Sequence, residues 1–416
     1  MRIAVLSETD SAESRVAAVP ETVKKFKALG ADVVVQAGAG VKAGMPDAEY
    51  EAAGASVAAS AEAAASGADL VLKVRRPGAD ELKLLKRDAV VVAIMDPYGH
   101  EAELQAMAEA GIDAFAMELM PRITRAQVMD VLSSQANLAG YRAVLDGASE
   151  YGRAMPMMMT AAGTVPAARV FVMGVGVAGL QAIATARRMG AVVTATDVRP
   201  ATKEQVESLG AKFVAVEDDE FKQAETKGGY AKEMSAGYQA KQAELVAAHI
   251  AKQDIVITTA LIPGRPAPKL VSEAMVASMK PGSVLVDLAV ERGGNVAGAK
   301  PGEVVVNDRG VKIVGHLNVP GRLPASASAL YARNLYAFVE TLFDKETKAL
   351  AIRRDDELVK ATNLTHGGAV VHPGFQPKPD AASADRPQDA PQSEQAALGL
   401  SRTGVSESST QSAGAA

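Results

Sequence analysis

Two groups of residues in this 416-residue chain have the types and spacing to do chemistry. The first is rich in glycine: Arg169-Val-Phe-Val-Met feeds Gly174-Val-Gly176-Val-Ala-Gly179, and a helical stretch follows directly. In a strand–turn–helix of this kind Gly174 permits the tight turn. Gly176 lets the backbone approach a pyrophosphate, and Gly179 lets helix and strand pack closely. The helix opening at Val177 offers free N–H groups and a positive dipole end to phosphates. A second β-type run ends in Asp197, about 20 residues past the glycines, with Val198 and Arg199 after it. A carboxylate there hydrogen-bonds ribose hydroxyls and repels a 2′-phosphate, which favours NAD(H) over NADP(H); Arg199 weakens that preference. The competing reading is a glycine turn that only packs closely.

The second group lies before a long helical run. Pro121 and the polar residues after it put residues 122–127 in an exposed turn, with Asp130 and Ser133 just beyond. The competing reading is a helix-capping segment in which Asp130 and Arg122 form a surface ion pair. Two further loops, residues 258–266 (with Ala260 and Leu261) and 287–294, each follow a strand and belong at the carboxyl end of a sheet, where ligands bind. Residues 218–236 form a polar, glycine-containing connection longer than the usual ~4–6 residues, which suggests a lid or an insert.

Composition narrows the chemistry. The absence of Cys excludes disulfides, thiolate metal sites and a cysteine nucleophile. The five His, at 100, 249, 316, 366 and 372, show no metal-ligand spacing, so no metal site is expected. A net charge of −5, from 44 basic and 49 acidic residues well mixed along the chain, argues against a nucleic-acid surface. The longest strongly apolar run, residues 89–95, falls far short of the ~20 needed to cross a bilayer. A cytoplasmic chain is expected.

These groups need a frame. Short β-branched runs at residues 3–6, 33–35, 70–74, 90–94 and 114–116 alternate with helical stretches, the pattern of a parallel sheet covered on both faces. Residues 125–153 read as one long bridging helix. A second alternating block follows, with strands at 169–173, 192–196, 212–216, 254–258, 283–287 and 311–314. Residues 326–343 form another long helix that carries the chain back. The fold class is therefore α/β: two Rossmann-like, doubly wound parallel-sheet domains joined by long helices. Expected bounds are residues 1–132 plus 325–374 for the first domain and 133–324 for the second. Residues 375–416, poor in apolar side chains, are expected to be a disordered tail.

Met117-Glu-Leu-Met-Pro-Arg-Ile-Thr-Arg-Ala-Gln-Val-Met-Asp, the run from Leu132 to Val144, Gly163-Thr-Val-Pro-Ala-Ala-Arg-Val and the glycine loop together resemble proton-translocating NAD(P) transhydrogenase. The similarity is to its soluble NAD(H)-binding component, over residues 1 to about 374. The resemblance implies that Arg122, Gln127 and Asp130, with Ser133 beside them, hold the nicotinamide and its ribose close to NADP(H) on a partner component. It implies cofactor contacts at Ile123, Thr124 and Arg125, and a loop that closes through Gly229, Tyr230 and Met234. It further implies a homodimer and membrane-spanning partner components that carry proton translocation, so that this chain sits at the inner membrane only through them. Direct hydride transfer between two nicotinamides needs orientation but no acid–base pair. The rival is an alanine dehydrogenase-like enzyme of the same superfamily. Arg15 and Lys73 match that family's substrate-binding pair. However, its catalytic His falls near Asp96, with His100 four residues on, and Glu291 stands in place of its later Asp.

Overall fold

Alternating apolar residues build the first sheet. In the strand Arg2–Val5, Ile3 and Val5 enter the core on one face, and Ala4 enters the core on the other. The computed structural model describes residues 1–223 and 234–376. Six parallel strands, Ser56–Ala58, Asp32–Gln36, Arg2–Val5, Leu70–Arg75, Val90–Ile94 and Asp113–Ala116, lie side by side in that order. Two strands from much later in the chain, Asn363–His366 and Ala369–Val370, extend this sheet antiparallel beyond Asp113–Ala116.

The second sheet runs Lys212–Phe213, Val192–Thr196, Arg169–Met173, Ile255–Thr258, Val284–Asp287 and Lys312–Val314, all parallel, with Val304–Val306 antiparallel at the edge. Both sheets reverse direction at their first strand. A doubly wound sheet opens a crevice at the carboxyl ends of the strands where that reversal falls. In the second sheet the crevice lies after Met173 and Thr258.

Two helices span the molecule. Val131–Tyr151 presents glycines where it crosses neighbours: a Cβ on Gly140 would lie 2.0 Å from the Ala178 carbonyl oxygen, and one on Gly147 would lie 3.0 Å from Ile255. Pro324–Thr341 packs Tyr331, Leu335 and Phe338 into the core of the first sheet, with Phe338 tilted against Phe115 at 5.6 Å.

Several elements differ from the sequence reading. The long helix begins at Val131, not at 125, because Thr124–Met129 is a 3-10 segment and the Asp130 carboxylate caps the α-helix. The strand expected over 212–216 stops at Phe213, since Gln242 takes the Val216 N–H at 2.8 Å. Ser56–Ala58, Val304–Val306 and the two late strands have too few residues to carry a period. The hairpin Met158–Thr160 and Gly163–Val165 is stranded although every residue in it but one is exposed. The expected tail lies outside the described residues from 377 onward.

Candidate functional site

Each glycine of the loop has a distinct physical reason. Gly174 has φ +99°, and a Cβ there would meet Thr259 Oγ1 at 2.6 Å. A Cβ on Gly179 would lie 1.9 Å from the Gly174 carbonyl oxygen, so the helix Val177–Arg188 can rest on its strand only without that side chain. Gly176 is different: a Cβ there meets nothing within 4 Å. Gly176 is also the N-cap of the helix and supplies no capping side chain, so the first N–H groups of Val177–Arg188 face open space. These features fit a phosphate group.

Asp197 closes the loop from the next strand. Its carboxylate accepts the Val175 N–H at 2.7 Å and the Arg199 N–H at 2.9 Å, and Arg199 grips it through Nε at 2.9 Å and Nη2 at 3.0 Å. Val198 between them is 61% exposed. The neighbouring strand contributes Ala260 and the exposed Leu261. Sequence reasoning missed what fixes them. Buried Asn295 accepts the Ala260 N–H at 3.1 Å and donates to the Ala260 and Pro268 carbonyls at 2.9 and 2.8 Å. Thr259 Oγ1 donates to the Gly174 carbonyl at 3.0 Å, tying this loop to the glycine loop. Asp287 faces inward, accepting from the N–H groups of Ala289 and Val296 at 2.9 Å each. An Asn seven residues after a strand carries no recognisable signal on its own.

The second cluster lies at the start of the bridging helix. Seven residues separate Ser133 from Gly140, the crossing point with the glycine-loop helix, which is about 10 Å along the axis. Ala126 and Met129 are buried, while Arg122, Thr124, Arg125 and Gln127 are exposed and Ile123 is half-buried. Among the described residues the Arg122 and Gln127 side chains make no hydrogen bond or ion pair, and none joins Arg122 to Asp130. Asp130 instead caps the helix, accepting the Ser133 N–H at 2.9 Å and its hydroxyl at 2.6 Å. Arg125 turns away to a two-pronged pair with Asp356 at 2.6 and 3.0 Å. Of the closing loop, Gly229 and Tyr230 lie outside the described residues; Met234 is half-buried against the second sheet's core.

The crevice of the first sheet is filled from within. Arg15 is held by Glu13 at 2.7 Å and by Gln135 at 2.8 Å. Lys73 sits between Glu81 at 2.5 Å and Glu8 at 3.6 Å, and all of these side chains are buried. Burial alone would raise the Glu13 carboxyl, but hydrogen bonds from Arg15 and the Arg15 and Arg75 charges outweigh it and hold it down to about 2. No group of three or more His, Asp or Glu among the described residues could hold a metal ion. No described helix is long and apolar enough to cross a membrane.

The second sheet, with its glycine loop at the reversal point, places the chain among doubly wound α/β proteins that take ligands in that crevice. Comparison with known proteins narrows the class. The family description "Alanine dehydrogenase/PNT, N-terminal domain" matches residues 4–139, and "Alanine dehydrogenase/PNT, C-terminal domain" matches residues 143–373. The first part of the split NAD(P) transhydrogenase subunit alpha of Rhodospirillum rubrum is 57% identical over 380 residues, covering 90% of this chain and 99% of that protein. Alanine dehydrogenase of Mycobacterium tuberculosis is 31% identical over 379 residues, covering 89% of this chain and 95% of that one. A transhydrogenase crystal structure from Sinorhizobium meliloti superposes with a TM-score of 0.82 at 65% identity, covering 89% of this chain and all (100%) of that one. The chain belongs to the alanine dehydrogenase/PNT family, and within it to the NAD(P) transhydrogenase alpha subunits.

Proposed function

We propose that this chain is the NAD(H)-binding component of a proton-translocating NAD(P) transhydrogenase. In this reading it passes hydride directly from NADH to NADP+ held by a partner component, while membrane-spanning components carry the protons. The observation that carries the reading is Gly176: open space beside an uncapped helix N-terminus, closed on one side by Asp197, in a chain 57% identical to a transhydrogenase alpha subunit. Bound there, NADH supplies the hydride. Gly174, Gly176, Val177 and Gly179 hold its pyrophosphate, and Asp197, Val198 and Arg199 meet the adenosine ribose. Ala260 and Leu261 line the crevice. Arg122, Ile123, Thr124, Arg125 and Gln127, framed by Asp130 and Ser133, orient the nicotinamide toward the partner and keep water away. Residues 218–236, with Gly229, Tyr230 and Met234, cover the nucleotide.

Residues 1–132 with 325–374 make one domain in this reading and 133–324 the nucleotide domain. The late strands pairing into the first sheet support that division. A homodimer is supported by the hairpin beginning at Met158, where Met157 and Met159 are 57% and 78% exposed. Attachment to the inner membrane runs through the partners.

The alanine dehydrogenase reading asks for an acid–base group at the nicotinamide. Asp96 is paired with Arg292 and His100, and Glu291 accepts the Asn318 N–H at 2.9 Å. The test has two arms: titration with NADH and NADPH, then transfer of deuterium from 4-deuterated NADH to NADP+ once the NADP(H)-binding component is added. Transfer with the partner and none without it is expected. NAD+ reduction by alanine in the isolated chain would replace the reading with the rival.

A further inference from the structure

The loop that carries Gln127 is pinned by a residue far away in sequence. Asn334 lies within the helix Pro324–Thr341 and is 7% exposed. Its Nδ2 donates to the Val128 carbonyl at 2.8 Å, and its Oδ1 accepts from the Ser134 hydroxyl at 2.7 Å. These contacts straddle Asp130, one on the last turn of the 3-10 segment and one on the first turn of the bridging helix. Where the chain changes from one helical form to the other, the Val128 carbonyl loses its regular backbone partner, and a side-chain amide fills the gap. The amide is itself immovable. Leu335 beside it is fully buried, and one turn earlier the Tyr331 hydroxyl donates to the Lys73 carbonyl at 2.9 Å. Gln135 extends the network, donating to the Ser134 hydroxyl at 3.3 Å and to the Ala327 carbonyl at 3.2 Å while accepting from Arg15.

We propose that Asn334 is a positioning residue for hydride transfer: it fixes the peptide at Val128 and so sets where the Gln127 side chain presents itself. The inference rests on the reading of the Gln127 loop as the nicotinamide contact. It assigns Asn334 no contact with nucleotide. Misplacing a reacting group by about 1 Å can cost on the order of a hundredfold in rate while binding through the pyrophosphate persists.

The test uses the full chain with the NADP(H)-binding component added. Asn334→Asp keeps the shape and the acceptor for Ser134, but sets an oxygen against the Val128 carbonyl. Ser134→Ala removes only the other contact and serves if the first variant fails to fold. Three quantities are read: NADH affinity, single-turnover deuterium transfer from 4-deuterated NADH to NADP+, and amide hydrogen exchange over residues 124–133 in the nucleotide-free chain. For Asn334→Asp the expected result is affinity within about twofold, transfer slowed about tenfold or more, and faster exchange across that segment. Ser134→Ala should move the same way by less. Combined with Gln127→Asn, Asn334→Asp should add little further slowing, because both act through one side chain. Unchanged transfer and exchange in both single variants, with Gln127→Asn slow, would overturn the role of Asn334 alone. Additive slowing in the double variant would also overturn it. If Gln127→Asn transfers at the unmodified rate, the loop reading fails and this inference falls with it.

Discussion

Arg199 holds both carboxylate oxygens of Asp197, with Nε 2.9 Å from Oδ1 and Nη2 3.0 Å from Oδ2. The guanidinium that could welcome a 2′-phosphate is thus committed to the carboxylate that would repel one. NADH is expected to bind at least about tenfold more tightly than NADPH, roughly 1.4 kcal/mol. Asp197→Ala removes the repulsion and one partner of Arg199 together, so NADH affinity should fall and NADPH affinity rise toward parity. Arg199→Ala should keep the preference. Paired titrations of both nucleotides decide it, and equal affinities in the unmodified chain would defeat the assignment.

Gly176 and Gly179 separate binding from packing. An alanine at 179 would force its Cβ to 1.9 Å from the Gly174 carbonyl, a backbone atom that cannot step aside. Gly179→Ala should lower stability by about 1–3 kcal/mol or more and abolish NADH binding. Gly176 has φ −84° and nothing within 4 Å, so Gly176→Ala should leave the thermal midpoint unchanged. Its Cβ would still stand in the pyrophosphate's approach and weaken NADH binding by about tenfold or more. Unaltered affinity in Gly176→Ala would mean the loop only packs.

The glycine loop was legible because three small residues at fixed spacing between a strand and a helix answer to local geometry alone. Both parallel sheets were legible from runs such as residues 70–74 and 284–287, buried on both faces. What stayed hidden is what depends on distant partners. Asn295 clamps Ala260 and Asn334 clamps Val128 across 35 and 206 positions of chain, and nothing near either Asn foretells it. The start of the bridging helix was missed for a related reason. Residues 125–130 have helical composition, yet the Asp130 carboxylate competes for the backbone and starts the α-helix one residue later. Arg125 likewise looks like its neighbour Arg122 until Asp356 is brought beside it.

Asp130 can be tested as a cap against a charge. It accepts two bonds from Ser133, and Asn caps as well as Asp does. Asp130→Asn should therefore hold stability within about 0.5 kcal/mol and keep most of the hydride-transfer rate. Asp130→Ala should cost about 1 kcal/mol and slow transfer, because the loop loses its anchor on the helix. Denaturant unfolding and single-turnover transfer read the two effects. A large loss of transfer in Asp130→Asn with stability intact would show that the negative charge itself serves the nicotinamide.

Glu118 sets a pH dependence with a definite sign. Burial pushes its carboxyl up to about 7, against backbone N–H groups that pull it down, including Met95 at 2.9 Å, and with Asp96 adding to the rise. A folded-state value above the unfolded one means the folded chain binds more proton between about pH 4.5 and 7. Stability from this group therefore falls as pH rises through that window, by at most about 1.4 kcal/mol per pH unit. Glu13 acts in the opposite direction and elsewhere: held down to about 2, it contributes stability above about pH 4.5 that is lost as pH falls toward 2. Glu118→Gln keeps the shape and an acceptor oxygen but cannot titrate. Thermal midpoints from about pH 5 to about pH 8 should therefore decline less steeply in Glu118→Gln than in the unmodified chain, the two profiles diverging most below pH 7. Parallel profiles across that range would show that Glu118 does not change its protonation there.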